Sequence, residues 1–415
     1  MNAEYDVLVV GGGPAGFAAA IAASRCGASV MLLERYGFLG GMGTAGLVSP
    51  FMAYEAGDTV LVRGVFEEVT DRMAAMGGFY SASKAFDAET MKYVLNEMCI
   101  ENNVNVRLHV FAYGVKRRGN RLSAVEYVGK GGRLVSSAKV FIDATGDADV
   151  AALCRCDVRV GRDSDGKCQP STLMFRVGGV SLPEGTRGVE FAVPLEDQLP
   201  QGRVLYFSLP IPGEAMLNMT RVTDFNPLDT DDLTRAEMEA RRQVYPIIRY
   251  MKTMVPGFEK VYLLETAPQI GIRESRRVMG EYLLNKEHIL SYRKSQDDIA
   301  YGMFKIDIHN PTGQGTDIQE LQPGQYYGIP YRCLIPKRMV NLLVAGRNIS
   351  TTHEGHSSTR IMPVCYALGE AAGVAAALAS AGHEGRVRQV DSADIKSRLN
   401  LPGTNNQSCI GSGNY

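Results

Sequence analysis

Tyr5-Asp6-Val7-Leu8-Val9-Val10-Gly11-Gly12-Gly13-Pro14-Ala15-Gly16 opens the stretch that decides the fold, and Ser29-Val30-Met31-Leu32-Leu33-Glu34 closes it. An apolar, β-branched run, a glycine turn, an alanine-rich helix pattern and a second apolar run make one βαβ unit. Gly11, Gly13 and Gly16 fit G-x-G-x-x-G: the first allows the tight turn, the second admits a pyrophosphate, the third lets the helix lie close to the strand. Pro14 and Ala15 open that helix, whose free N–H groups and positive dipole end suit a phosphate. Glu34 ends the second strand, where a carboxylate accepts hydrogen bonds from a ribose hydroxyl and repels a 2′-phosphate, despite neighbouring Arg35. An ordinary glycine turn is the alternative, but the strand, the helix and the acid at the right distance favour a dinucleotide.

The chain has 415 residues, enough for two cores, with Lys+Arg 44 against Asp+Glu 45 and a net charge of −1. With no basic block, a nucleic-acid partner is not expected. The fingerprint strand begins close to Met1, which leaves no room for a signal peptide, and the cysteines are scattered; a cytoplasmic location is the expectation. No apolar run is expected to span a bilayer.

Outward from Glu34, the segment Arg35 to Gly46 is too rich in glycine for a helix. It reads as a loop, either a plain connector or backbone lining a large flat ligand through Gly41 and Met42. Helical spacing follows over Val62–Met76 and Asp87–Asn102. Strand patterns then cover 104–110, 113–117, 122–128, 133–136 and 140–143, a small meander that returns to the parallel sheet. It ends in Ala144-Thr145-Gly146-Asp147, a turn expected near the same ligand. From Gly161 to Pro330 the texture changes to antiparallel strands and a charged helix over Asp231–Met254, bent or broken near Pro246. Within it, Ile272-Arg273-Glu274-Ser275-Arg276-Arg277 sets three arginines around one acid. That is either a solvated helix face or, at Arg273, a site for a substrate anion. The α/β texture resumes with the buried strand Val340–Ala345 and Gly346-Arg347-Asn348. A polar loop, Ser350 to Arg360, carries His353 and His356, and a small-residue helix follows over Pro363–Ala381.

Together these pieces resemble the FAD-dependent oxidoreductases with a glutathione-reductase-type flavin domain, distantly related to fumarate reductase flavoproteins. The resemblance rests on the fingerprint, Gly40-Gly41-Met42, Ala144-Thr145-Gly146-Asp147, the Arg273–Arg277 block, and Leu343-Val344-Ala345-Gly346-Arg347 through Gly369-Glu370-Ala371-Ala372-Gly373. It implies an α/β fold: a Rossmann-like FAD-binding domain of parallel sheet plus small β meander, with an inserted α+β substrate domain. The expected division is 1–160 and 331–400 for the FAD-binding domain, 161–330 for the substrate lid and 401–415 for a flexible tail. FAD is the expected cofactor. Gly11, Gly13, Gly16 and Glu34 would hold its ADP half, and Gly41, Asp147 and Gly346 would line the rest. The loop after Glu34 lacks the cysteine pair of the disulfide reductases and has no histidine near Gly40 for a covalent flavin link, so the FAD is expected to be non-covalent. No second glycine fingerprint offers a site for NAD(P)H. Cys154-Arg155-Cys156 and Cys168 do not complete an iron–sulfur spacing, and read as structural thiols with a metal or redox pair as the alternative.

The chemistry then expected is hydride transfer between a small polar metabolite and FAD. His353 or His356 would act as general base and Arg360 and Arg273 as orienting groups; the alternative is that the histidines only cap turns. A reductase of an activated double bond and an electron-carrier subunit are the competing readings. A zinc site at His353 and His356 is not expected, for want of a third ligand. The electron acceptor and any homo-oligomer stay open.

Overall fold

The computed structural model describes residues 5–183, 199–313 and 315–403. Most of the tail expected at 401–415 lies outside them.

One long strand organises the main sheet. β8 (Gly132–Asp143) has two halves with different neighbours. Its N-terminal half pairs antiparallel with β7 (Arg121–Gly129), which pairs with β6 (Phe111–Arg118), forming the expected meander. Its C-terminal half lies parallel to β1 (Tyr5–Val10) on one side and to β19 (Leu342–Val344) on the other. β2 (Val30–Leu33) and β5 (Asn105–Arg107) extend the parallel edge. This is a parallel-rich, Rossmann-like sheet. The patterns for 133–136 and 140–143 are therefore one strand. A short hairpin, β3 (Glu55–Ala56) and β4 (Thr59–Val60), follows the glycine loop.

Val7 to Val10 are almost fully buried, as a strand covered on both faces requires. The cover on one face is α1 (Pro14–Arg25) with α8 (Met362–Gly382), both built from small residues. α8 has 21 residues and is long and apolar enough to cross a bilayer by length and composition alone. It is a core helix instead, buried along most of its length.

α2 (Val65–Ala75) and α3 (Ala88–Glu101) complete this layer. α2 has no side-chain cap of its own; Glu370 of α8 accepts the Val65 N–H at 3.2 Å across the helix start. Glu370 is buried, and burial above all raises its carboxyl from 4.5 to about 7. Between those two values the folded chain keeps a proton that the unfolded chain releases, so stability falls as pH rises through that window. Glu370→Gln is expected to remove this slope and to gain about 2 kcal/mol over the parent near pH 8. Urea unfolding at about pH 5 and about pH 8 checks it; equal slopes for both proteins would refute it.

A second hydrophobic cluster forms around β10 (Phe175–Gly178), β11 (Tyr206–Ser208), β12 (Glu214–Leu217) and β13 (Tyr262–Thr266), an antiparallel sheet in the order β11-β12-β10-β13. α5 (Thr230–Met254) packs into it through Ala236, Ala240, Val244, Ile247, Ile248 and Met251. The helix runs on through Pro246, so of the two expectations, bent or broken, the break does not occur. Burying that stripe outweighs the one hydrogen bond proline forfeits. After α4 (Asp149–Leu153), β9 (Val158–Val160) meets β14 (Arg276–Val278). α6 (Lys286–Leu290) and the pairs β15 (Asp298–Gly302) with β18 (Tyr327–Pro330), and β16 (Ile306–His309) with β17 (Thr316–Gln319), follow. Val278, Leu284, Ile299 and Ile329 from this stretch join the first cluster. α7 (His353–Thr359) precedes α8, and α9 (Ser392–Lys396) lies near the end of the described residues.

Candidate functional site

β1, β8 and β19 run parallel and end together, and a cleft open to solvent lies beyond their carboxyl ends. That is where open parallel sheets bind ligands. Gly11 turns the chain out of β1 with φ +98°; a Cβ there would sit 2.4 Å from the Ala144 carbonyl oxygen. A Cβ on Gly16 would lie 1.7 Å from the Gly11 oxygen, so this glycine brings α1 against the turn. Gly13 differs: a Cβ would meet only Gly41 Cα, at 3.6 Å, so its backbone stays open to the cleft beside Pro14 and Ala15. The glycine loop lies directly on this turn, because the Gly40 N–H donates to Gly12 O at 2.9 Å. Gly41 and Met42 thereby reach the cleft.

Glu34 is 5% exposed and lines the same space. The Gly12 N–H donates to its Oε2 at 2.6 Å and the Tyr36 N–H to its Oε1 at 2.9 Å. Each oxygen keeps a lone pair for a hydroxyl. Burial pushes its carboxyl up, against the pull of the two N–H groups. Arg35 extends along the rim, where its guanidinium donates to Gln269 Oε1 at 2.7 Å and lies 4.9 Å over the Tyr36 ring. With a helix start, a bare backbone at Gly13 and a carboxylate at the second strand end, the cleft fits an adenine dinucleotide.

On the far wall, Gly346 and Arg347 face the cleft while Asp147 is occupied elsewhere. Its Oδ1 accepts from Arg347 Nη2 at 2.5 Å and from Ser275 Oγ at 2.6 Å. Burial pushes the Asp147 carboxyl up, but Arg347 and Ser275 outweigh it and hold it below its ordinary value. Thr145, from the turn expected there, also lines the wall, as do Asp149, Met362 and Cys365, which carried no distinct signal in the sequence. Behind it, buried Asp143 fixes the turn by accepting from Thr145 Oγ1 at 2.7 Å and Ala151 N at 2.8 Å.

Arg360, between α7 and α8, belongs both to this cleft and to a buried polar group behind it. The presumed polar loop is helix α7, capped by Thr352, whose hydroxyl accepts from the Gly355 N–H at 3.1 Å. His353 is buried with Nδ1 2.8 Å from Glu274 Oε1, and also borders an open groove beside Glu354 and Asp317. Glu274 further accepts the Gln169 N–H at 3.1 Å and lies 3.6 Å from Arg277. His356 is 1% exposed, and neither ring nitrogen has a hydrogen-bond partner. Burial, then Arg277 and Arg360, pull it well below its ordinary value, so it is a neutral imidazole. Asp307 Oδ2 stands 3.9 Å from Arg360 Nη2 and 3.7 Å from His309 Nε2. Arg273 donates to Pro170 O at 2.6 Å, and its charge acts on both Asp307 and His309. Thus Arg273, Arg360, His353 and His356 gather around one buried group, and Arg360 links it to the cleft. Glu274, Gln169, Asp307 and His309 complete it. Strand alternation puts Asp307 and His309 on one face, which is a signal the sequence did hold. The thiols of Cys154, Cys156 and Cys168 are unpaired, each pushed up to about 12 by burial.

A profile of the FAD dependent oxidoreductase family matches residues 6–399, nearly the whole chain. A digeranylgeranylglycerophospholipid reductase of Methanocella arvoryzae (strain DSM 22066 / NBRC 105507 / MRE50) is 30% identical over 162 residues. That match spans 35% of this chain and 40% of the relative, less than half of either. Among solved structures, the flavin-dependent brominase Bmp2 aligns with a TM-score of 0.52 at 15% identity, over 92% of this chain and 81% of the other. The myxobacterial chondrochloren halogenase CndH, an FAD-dependent enzyme, aligns with a TM-score of 0.50 at 16% identity, over 95% and 79%. At such identities these structures show a shared fold and no more.

Proposed function

We propose that this chain, which belongs to the FAD dependent oxidoreductase family, moves a hydride between a small polar metabolite and non-covalently held FAD. The observation that carries this reading is the double membership of Arg360, in the cleft wall and in the buried Arg–His–Asp group. A bound flavin supplies a two-electron centre that accepts or returns hydride. The chain's own groups then have two tasks: holding the metabolite against that centre and moving the proton that accompanies the hydride. In this proposal Gly11, Gly13, Gly16 and Glu34 hold the ADP half of FAD, while Gly41, Gly346 and Arg347 line the rest. Segments 1–160 and 331–400 would form the cofactor side, and 161–330 the substrate side. The kinship we propose is with glutathione-reductase-type flavin domains and, more distantly, fumarate reductase flavoproteins.

His356 is the base we assign, because both its ring nitrogens lie buried without a partner; burial and the charges of Arg277 and Arg360 weaken its hold on a proton, so it would take one only with an anion bound beside it. His353, already held by Glu274, would position rather than react. Anaerobic mixing of FAD-loaded protein with a metabolite panel, followed by flavin absorbance, tests the reading. His356→Gln is expected to keep FAD and to slow bleaching by the active metabolite about 100-fold or more, the usual share of a general base. Unchanged bleaching would remove His356 from the mechanism. A second reading, reduction of an activated double bond with Arg360 or His356 as proton donor, draws support from the partial likeness to a reductase. Reoxidation of the pre-reduced protein by unsaturated compounds separates the two.

A further inference from the structure

Three guanidinium groups converge where the second core meets the first. Arg221, 6% exposed, donates to Gln201 Oε1 at 3.2 Å and to Asn310 O at 2.8 Å, while its Nε has no partner. Arg273 lies between it and Arg360: after burial, the charges of Arg360 and Arg221 weaken the hold of Arg273 on its proton. The Arg360 Nε is likewise buried without a partner. Among the described residues, Asp307 is the carboxylate that reaches this group, and at 3.9 Å from Arg360 it is too far to hydrogen-bond. Glu274, whose charge also acts on Arg360, is taken up by His353 and the Gln169 N–H.

Two further polar atoms border the arginines. Gln169 is 1% exposed with its Nε2 unpartnered, and His309 is 5% exposed with its Nδ1 unpartnered. The two residues are tied together, since the His309 N–H donates to Gln169 Oε1 at 3.2 Å. Burial, then Arg273, pulls the His309 imidazole down to about 3, so it adds hydrogen-bonding capacity and no charge. Cations largely withdrawn from water that outnumber the carboxylates reaching them among the described residues, beside unsatisfied donors, are costly unless something anionic completes them. A guanidinium fork matches the two oxygens of a planar carboxylate.

We infer that Arg221, Arg273, Arg360, Gln169 and His309 form a carboxylate subsite, and that the metabolite oxidised or reduced here is a small carboxylic acid. Its acid group is held against Arg273 and Arg360, which leaves the reacting carbon on the cleft side of Arg360. This rests on the reading of the cleft as the flavin site for its meaning, but the subsite itself is measurable without turnover.

The test is titration of the FAD-loaded full chain with acetate, glycolate, inorganic phosphate and chloride at constant ionic strength, read by calorimetry and by flavin absorbance. Acetate and glycolate are expected to bind saturably, with phosphate and chloride weaker. Arg273→Gln should weaken both acids roughly 10- to 100-fold with FAD content unchanged, and Arg273→Lys should recover part of the loss. Gln169→Leu is the second variant, expected to weaken acetate severalfold, and it is read if Arg273→Gln fails to fold. The inference is overturned if no acid binds the parent protein, if phosphate binds more tightly than either acid, or if folded Arg273→Gln binds acetate as the parent does. Colourless protein that still binds acetate would sink the flavin reading and leave the subsite standing.

Discussion

Gly369→Ala is expected to strip the protein of FAD and to destabilise it by more than about 3 kcal/mol, at the upper end of overpacking costs. The reason lies in the crossing of α1 and α8. A Cβ at Gly369 would stand 2.0 Å from the Ala15 carbonyl oxygen and 2.6 Å from its carbon. One turn along, a Cβ at Gly373 would stand 2.2 Å from the Ala19 oxygen. These neighbours are backbone atoms of a helix, so no rotamer change relieves the clash. The helices must part, and Ala15 lines the cleft at the very start of α1. Displacing that helix start moves the N–H groups meant for the pyrophosphate, so stability and cofactor affinity fall together. Gly382→Ala, at the far end of α8 with nothing within 4 Å of the added carbon, is the control and should be neutral. Urea unfolding and equilibrium dialysis against FAD measure both quantities. If Gly369→Ala unfolds like the parent and keeps its FAD, the close crossing is not what seats α1.

That crossing was partly legible, because Gly369, Ala371, Ala372 and Gly373 announce a helix able to lie close to a neighbour. The first βαβ unit was more so: its signal is local, each residue constraining the next through turn geometry and strand burial. The meander was legible for the same reason, although Gly132–Asp143 proved continuous where composition suggested two strands. Reading fails where a decision is made at long range. Thr352 and the Gly355 N–H form a cap that makes a helix of what composition presents as a polar loop. Pro246 stays helical because the stripe from Ala236 to Met251 is buried against a sheet no local window contains. Asp147, expected at the ligand, is claimed by Arg347 two hundred residues away, an ion pair no spacing rule could reveal. The buried arginines show the limit most clearly. Arg273 stood out within a charge run, and alternation along one strand pairs Asp307 with His309, but Gln169 and Arg221 gain meaning only from the tertiary contacts that gather them.

Arg360→Gln is expected to make the bound flavin harder to reduce, lowering its two-electron midpoint potential by roughly 30–60 mV, which corresponds to about 1.4–3 kcal/mol. Arg360 lines the cleft with Met362 and Cys365, at the start of α8, whose helix dipole points the same positive way. A reduced flavin carries more negative charge than an oxidised one, so a fixed cation nearby favours reduction. The side chain is 16% exposed, which leaves little water to screen it. Asp307, at 3.9 Å, offsets part of the charge and keeps the shift below what an isolated buried cation would give. Arg360→Lys retains the charge and should hold the potential near the parent value, even if the lost fork weakens acids in the neighbouring subsite. A potential titration with a reference dye reads this with no metabolite at all. It therefore separates an effect on the flavin from an effect on substrate binding, which steady-state rates would merge. A potential unchanged in Arg360→Gln would place this cation on the substrate side alone.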